Sequence, residues 1–413
     1  MLPRIKTRAL RHVWLLLLIA LGLGLDWSSA LQDPVTKHKT GDQEESPVHP
    51  QSLERQEAVI LSAPAPRAVE ATEKCDQHGN IYLVYYADVG AIYNLPSGSL
   101  PLSRVSFERK TVVQHAIQNI PGYQTIHRVY FDVSPSGTVY ALAKGYHHLP
   151  GNHPEPPDTL IVKFASDGTV DSTVKLNDPP GGHLNASLFA VFSGGSYLVT
   201  GVLRFDPGRS SSRPFTGIFD SYGRLVRELG LPSDVHASSD LESSSSETTA
   251  SPEAGAEGKA GQGHERAATK RGGLNWTMQL SQGRAVGAPD GNVYLLRATS
   301  PPRLYVLSPG GEVLGSVGLK FRDAGMSPMT MSLAGDNRLF VQFGHLPTRA
   351  HDNGSHPDVL ALFDLSTGDL TATVGSPQDP DIMSMACATP QNEFLFLGTA
   401  KDNHLEVVKF VPR

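Results

Sequence analysis

The sequence predicts an all-β fold: a six-bladed β-propeller of four-stranded antiparallel blades, its ring closed by an N-terminal strand joining the C-terminal blade. Three observations predict it. A turn followed by a short β-rich run with an aromatic anchor recurs six times, at Tyr82, Tyr140, Tyr197, Tyr294, Phe340 and Phe394. A strand–glycine–strand unit recurs between those runs. The last unit lacks one strand, and an unassigned apolar run precedes the first. A four-stranded unit repeating at this period is a propeller blade.

At the amino terminus, Arg4, Lys6, Arg8 and Arg11 precede the apolar run Val13 to Leu25, and Ser28, Ser29 and Ala30 supply small residues for cleavage. Residues 1–30 therefore read as a secretory signal peptide, the run being short for the ~30 Å of a bilayer core. The expected location is periplasmic or extracellular. Residues 31–55 are polar and without apolar period, and are expected to form a disordered linker. Residues 56–413 are expected to be a single propeller, with a second disordered stretch inserted at 232–273, where a serine run leads into Gly, Ala and Glu.

With that insertion set aside, successive anchors are separated by similar intervals throughout. The first half of the unit reads Gly79-Asn80-Ile81-Tyr82, Gly137-Thr138-Val139-Tyr140 and Gly291-Asn292-Val293-Tyr294, with Asn337 and Asn392 at the turn of the last two copies. The second half reads Val162 to Val170, Ile218 to Val226, Tyr305 to Val313 and Leu362 to Leu370, each around a turn glycine. The strands are named a to d, with hairpins a–b and c–d. The final unit has strand a near Ile382–Cys387, b near Phe394 and c near Leu405–Phe410. Ala58-Val59-Ile60-Leu61 is the expected donor of its fourth strand, which would remove an open sheet edge. The first blade, with Leu95–Glu108 at strand c, follows the pattern least well.

The repeats resemble those of the NHL-type and related six-bladed propeller proteins over Ala58 to Arg413. That resemblance implies the fold and leaves the function open, since one fold hosts unrelated activities.

Composition narrows the function. The net charge of −6 with dispersed acidic residues gives no basic surface for nucleic acid. No apolar run beyond the leader would span a membrane, and a monomer is expected. Long, irregular b–c and d–a connections share one face, where a site would be built. Two b–c loops there resemble each other. One carries His147, His148 and His153 before Asp158; the other carries His345, His351 and His356 before Asp358. In a ring of six they face each other across one mouth, and imidazole with carboxylate could hold zinc or another ligand. Duplicated surface loops are the plainer alternative.

Nearer the axis, His127 and His183 precede strand a of blades 2 and 3, with Ser281, Ser327 and Asp381 at the matching places of later blades. Related six-bladed lyases hold a metal with channel histidines, and lactonase-like propellers hold calcium with carboxylates, here Glu70, Glu73 and Asp381. No three-histidine set is completed. Asn185, Asn275 and Asn353 open glycan-acceptor triplets. Cys75 and Cys387 each lie seven residues before their anchor, on innermost strands of adjacent blades. They would lock the ring as a disulfide if equivalent positions can meet, and are buried thiols otherwise.

The expected function is a non-catalytic binding or protein-interaction module using the loop-rich face. The alternative is a metal-dependent lyase or hydrolase with zinc or calcium at the channel mouth. A scaffold that binds protein through its blade edges is a third reading.

Overall fold

The computed structural model describes residues 52–64, 68–69, 74–76, 78–86, 102–117, 120–147, 156–205, 212–231, 284–299, 301–321, 326–335, 337–345, 359–374, 382–389 and 391–413. All belong to the compact unit Val48–Arg413. The signal-peptide reading and the 232–273 insertion lie outside them, as does the expected linker up to residue 51.

The described residues form six four-stranded antiparallel sheets and no helix. Blade 1 comprises Lys74–Cys75, Ile81–Leu83, Leu102–Ser106 and Thr111–His115; blade 2 comprises Thr125–Val133, Val139–Tyr146, Asp158–Phe164 and Val170–Lys175. Blade 3 comprises His183–Val191, Tyr197–Arg204, Ser212–Phe219 and Leu225–Glu228; blade 4 comprises Arg284–Gly287, Val293–Arg297, Arg303–Leu307 and Val313–Gly318. Blade 5 comprises Met326–Ala334, Arg338–His345, Val359–Asp364 and Leu370–Val374. Blade 6 has Ile382–Ala388, Phe394–Thr399 and His404–Pro412, and its fourth strand is Leu53–Pro64 from the start of the chain. A further short pair, Ala68–Val69 with Tyr85–Tyr86, sits beside blade 1 in sequence.

Closure follows the expected register: Ala58 opposes Val408, Val59 opposes Val407 and Ile60 opposes Glu406. The strand begins at Leu53, inside the stretch expected to be linker. The free edge of His404–Pro412 explains the extension, because it offers backbone partners that polar residues accept as readily as apolar ones. Arg55 adds an ion pair to Glu406 at 2.5 Å.

The b strands are buried along most of their length. Each lies in the middle of a sheet whose two faces pack against neighbouring blades, so its sequence is a continuous apolar run rather than an alternation. The anchor aromatics meet between blades, Tyr140 against Tyr197 at 6.2 Å and Phe340 against Phe394 at 5.7 Å, both edge to face. Two anchors also lock their own turns: Tyr82 donates to Asp76 Oδ2 at 2.9 Å, and Tyr294 donates to Asp290 Oδ2 at 3.2 Å.

Every a–b turn carries one residue in the left-handed region: Gly79, Gly137, Gly195 and Gly291 in four blades, Asn337 and Asn392 in the others. Asparagine stands in because its side chain tolerates that conformation best after glycine. The c–d turns of blades 2 to 5 use Gly168, Gly223, Gly311 and Gly368, whereas blade 1 uses Lys110. At Gly168, Gly223 and Gly368 close approach adds a second demand. A Cβ there would strike the carbonyl oxygen of Gln114, Lys175 or Gly318 on strand d of the preceding blade.

One expectation needs correction. The b–c connections are not long in every blade: blade 6 turns through Ala400–Asn403, with Asn403 left-handed, and in blade 4 five residues of sequence separate strand b, ending at Arg297, from strand c, beginning at Arg303.

Candidate functional site

The axis is lined by the six a strands, and each junction between neighbours is made differently. Lys74 of blade 1 reaches Asp132 of blade 2, Nζ to Oδ1 at 2.6 Å, and also donates to the Ala285 carbonyl of blade 4 at 3.2 Å. The other Asp132 oxygen accepts the Val191 N–H of blade 3 at 2.8 Å. Gly287 of blade 4 lies so close to the Val191 carbonyl that no Cβ would fit. Arg284 Nε donates to the Met329 carbonyl of blade 5 at 2.5 Å, and Ser332 Oγ accepts the Ala388 N–H of blade 6 at 3.2 Å. Cys75 and Cys387 complete the circle as a disulfide with Cα atoms 5.9 Å apart. Relative to the left-handed turn residues Gly79 and Asn392, Cys387 sits one place earlier than Cys75 and occupies the position that Lys74 holds in blade 1, so the two are not equivalent and face the junction from opposite sides.

Asp132 is fully buried and Lys74 nearly so. Burial alone would lower the Lys74 pKa, but the adjacent Asp132 charge outweighs it and the ammonium is held above its ordinary value. Burial pushes the Asp132 carboxyl above its ordinary value, against the opposing pull of Lys74 and the Val191 N–H. The 2.6 Å contact and the second-oxygen hydrogen bond hold the pair as ammonium and carboxylate. The Lys74 ammonium also lies 5.1 Å from the centroid of the Tyr130 ring. Burial holds the Arg284 guanidinium below its usual value.

Beyond Lys74 and Asp132, the next residues along their strands, Cys75 and Val133, line a cavity of about 370 Å³. Its other described walls are Asp76, Ser134, Pro135, Val286 to Asp290, Tyr294, Ser332 to Ala334, Leu365 and Ala388. Apart from Tyr294 at the start of a b strand and Leu365 in a c–d turn, these are ends of a strands and a–b turns, so the cavity opens on the short-turn face. That is opposite the face chosen from the sequence, where most of the long connections lie outside the described residues.

On the long-loop face, blade 2 carries a polar clasp. Asp158 Oδ2 accepts Tyr123 Oη at 2.9 Å and lies 3.0 Å from His147 Nε2, while Oδ1 lies 2.8 Å from Lys175 Nζ. His147 Nδ1 donates to the Gly122 carbonyl at 2.8 Å, and its ring stacks on Tyr123 at 4.7 Å. With a carbonyl at one nitrogen and a carboxylate at the other, the surroundings favour the protonated ring, in which both nitrogens donate. Its pKa is raised by the Gly122 carbonyl and then by Asp158. Burial pushes Asp158 up, but Lys175, Tyr123 and His147 bring it below the carboxylate range. The clasp ties the connection between blades 1 and 2 to the base of the histidine loop.

The other expected ligands are placed as follows. His127, within strand a of blade 2, packs on Tyr146 at 5.4 Å; burial, then Lys144, lowers its pKa. His183 opens strand a of blade 3, its Nδ1 3.0 Å from Asp178 Oδ2. Asn185 belongs to that same inner strand, where it accepts a hydrogen bond from Lys144, so it is no surface loop acceptor. His345 ends strand b of blade 5. His148, His153, His351, His356, Asp358, Asp381, Glu70, Glu73, Ser281, Asn275 and Asn353 lie outside the described residues. Among the described residues no group of three or more His, Cys, Asp or Glu is arranged to hold a metal ion. The donors described so far therefore do not converge on zinc or calcium.

Lys74, Asp132, Arg284 and Tyr123 escape a reading by repeats. Asp132 alone leaves a trace, a carboxylate between Phe131 and Val133 in an apolar strand, which demands a buried partner.

Fold and axis together define a six-bladed β-propeller whose centre is stitched by buried polar and covalent links. No protein-family model and no curated protein sequence matches the chain. Among solved structures, a protein of unknown function from Dyadobacter fermentans is similar at 11% identity and a TM-score of 0.49, over 87% of this chain and 99% of that one. A luciferin-regenerating enzyme is similar at 8% identity and a TM-score of 0.44, over 86% and 95%. A protein of unknown function from Bacteroides caccae is similar at 10% and 0.40, over 78% and 94%. Similarity at this level says nothing about chemistry.

Proposed function

We propose that this protein is an exported, monomeric, non-catalytic binding module of the NHL-type propellers, and that its ligand enters the central cavity on the short-turn face. The observation that carries this reading is how the axis is filled. The polar atoms of Lys74 and Asp132 are directed at strands of blades 2, 3 and 4, so this buried pair acts as a structural plug beneath the cavity. What remains above the plug is concave, mostly apolar and of ligand size, the usual form of a small-molecule site. The Cys75–Cys387 bridge supports export, since such bonds persist in oxidising compartments.

A crystallographic screen with small neutral and charged fragments tests the reading. Density clustered against Val133, Val286, Leu333 and Ala388 is the expected result. Density confined to the long-loop face would return the site to the histidine loops, and a metal ion bound there would favour the lyase or hydrolase alternative.

A further inference from the structure

The cavity combines apolar walls with a charge pattern. Its charged lining groups, among the described residues, are Asp76 of blade 1 and Asp290 of blade 4, and no Lys or Arg lines it. In a ring of six these blades stand opposite each other. Among the described residues, both carboxylates bond only to neutral donors. Asp76 accepts the N–H groups of His78 at 2.9 Å and Asn80 at 3.0 Å, Asn80 Nδ2 at 2.7 Å and Tyr82 Oη at 2.9 Å. Asp290 accepts the Asn292 N–H at 2.9 Å, Asn292 Nδ2 at 3.0 Å and Tyr294 Oη at 3.2 Å.

These bonds orient the carboxylates and leave their charge in place. A carboxylate offers about four lone-pair positions. Those of Asp76 are taken, while Asp290 Oδ1 accepts a single bond from the described residues and has lone-pair capacity for another. Asp76 acts through its field and Asp290 through direct contact. Like-signed groups around a low-dielectric concavity focus a negative potential within it.

We infer that the cavity takes a small organic cation, an ammonium group carried on an apolar or aromatic body. The body fills the space between Val133, Pro135, Val286 and Leu333, and the ammonium donates to Asp290. This rests on the cavity being the binding site, as proposed above.

Calorimetric titration of the full chain with phenethylammonium, neutral 2-phenylethanol and anionic 3-phenylpropionate separates the two claims. The cation is expected to bind about tenfold or more tightly than the alcohol, and the anion to show no binding. Asp290→Asn should remove about that tenfold preference and leave the alcohol unaffected. Ala334→Trp, which fills the cavity from strand a of blade 5, should abolish binding of both. Thermal melting of each variant checks that the ring is intact. Equal affinity for cation and alcohol, with both lost in Ala334→Trp, overturns the charge inference and leaves the cavity reading standing. Binding that survives Ala334→Trp, or no binding by any probe, overturns both. A peptide bearing a lysine that competes with phenethylammonium would place the same cation chemistry on a protein partner.

Discussion

The inner and outer edges of this ring are held by opposite strategies. At the outer edge one device recurs: the c–d turn of a blade lays a left-handed glycine against the d strand of the blade before it. At the inner edge nothing recurs, and the six junctions use an ion pair, a carboxylate–amide bond, a glycine contact, a guanidinium–carbonyl bond, a hydroxyl and a disulfide. Copies of a repeat can diverge where they meet at the axis, because each position there has its own neighbours. The rim keeps a glycine at the c–d turns of blades 2 to 5, and in three of them it meets the backbone of the preceding d strand. Uniform links suit a surface that only has to exist, whereas individual ones fix which blade stands where.

Breaking the inner edge should therefore cost most. Lys74→Met leaves a buried carboxylate without its cation and should destabilise the fold by about 3–5 kcal/mol, as other broken buried pairs do; denaturant unfolding measures it. A loss below about 1 kcal/mol would mean that the pair is hydrated and that the axis is not plugged. Next comes Cys75→Ser. The bridge spans 312 residues of sequence, and its loss should cost about 2–5 kcal/mol. Melting curves with and without reductant should then differ in the parent protein and coincide in the variant.

The outer edge should respond less and more evenly. Gly223→Ala combines a left-handed backbone with a clash at the Lys175 carbonyl, so about 1–3 kcal/mol is expected. In the opposite sense, Lys110→Gly should gain about 0.5–1 kcal/mol by relieving the one c–d turn, among those described, that lacks glycine. If the glycine variant costs more than Lys74→Met, the ranking of the two edges is reversed.

The smallest expected effect is a pH dependence at the blade 2 clasp. A histidine whose folded pKa is raised contributes stability below its unfolded value of about 6.5, and loses it as pH rises through the folded value. His147 should titrate by NMR above the ordinary range, and His127, lowered by burial, beneath it. Exchange of the Gln124 amide, bonded to the Tyr146 carbonyl, should quicken as His147 loses its proton. His147 titrating in the lower range would show that the clasp does not form.

This contrast also explains what the sequence disclosed. Six turn residues with positive φ, spaced by one blade, and the missing strand of blade 6 made the ring and its closure readable at Val59 and Val407. Cys75 and Cys387 pointed to the right junction, but counting from the anchor aromatics hid a one-residue offset, since Phe394 stands one place closer to its turn than Tyr82 does. The cavity was not readable, because its walls are one to three residues from each of five a strands, with adjoining turns, that periodicity treats as interchangeable. The histidines drew notice for their residue type, yet His147 and His183 are engaged by Asp158 and Asp178. Asp132 and Lys74, separated by 58 residues, give no sign of their partnership until the blades are assembled.

The structural role of the axis rests on the coupling between those two residues. A double-mutant cycle with Lys74→Met, Asp132→Leu and the combination, followed by denaturant unfolding, measures it. The expected result is a coupling energy of about 2–3 kcal/mol, with the double variant more stable than either single one. Additive losses, leaving no coupling between the two positions, would contradict it.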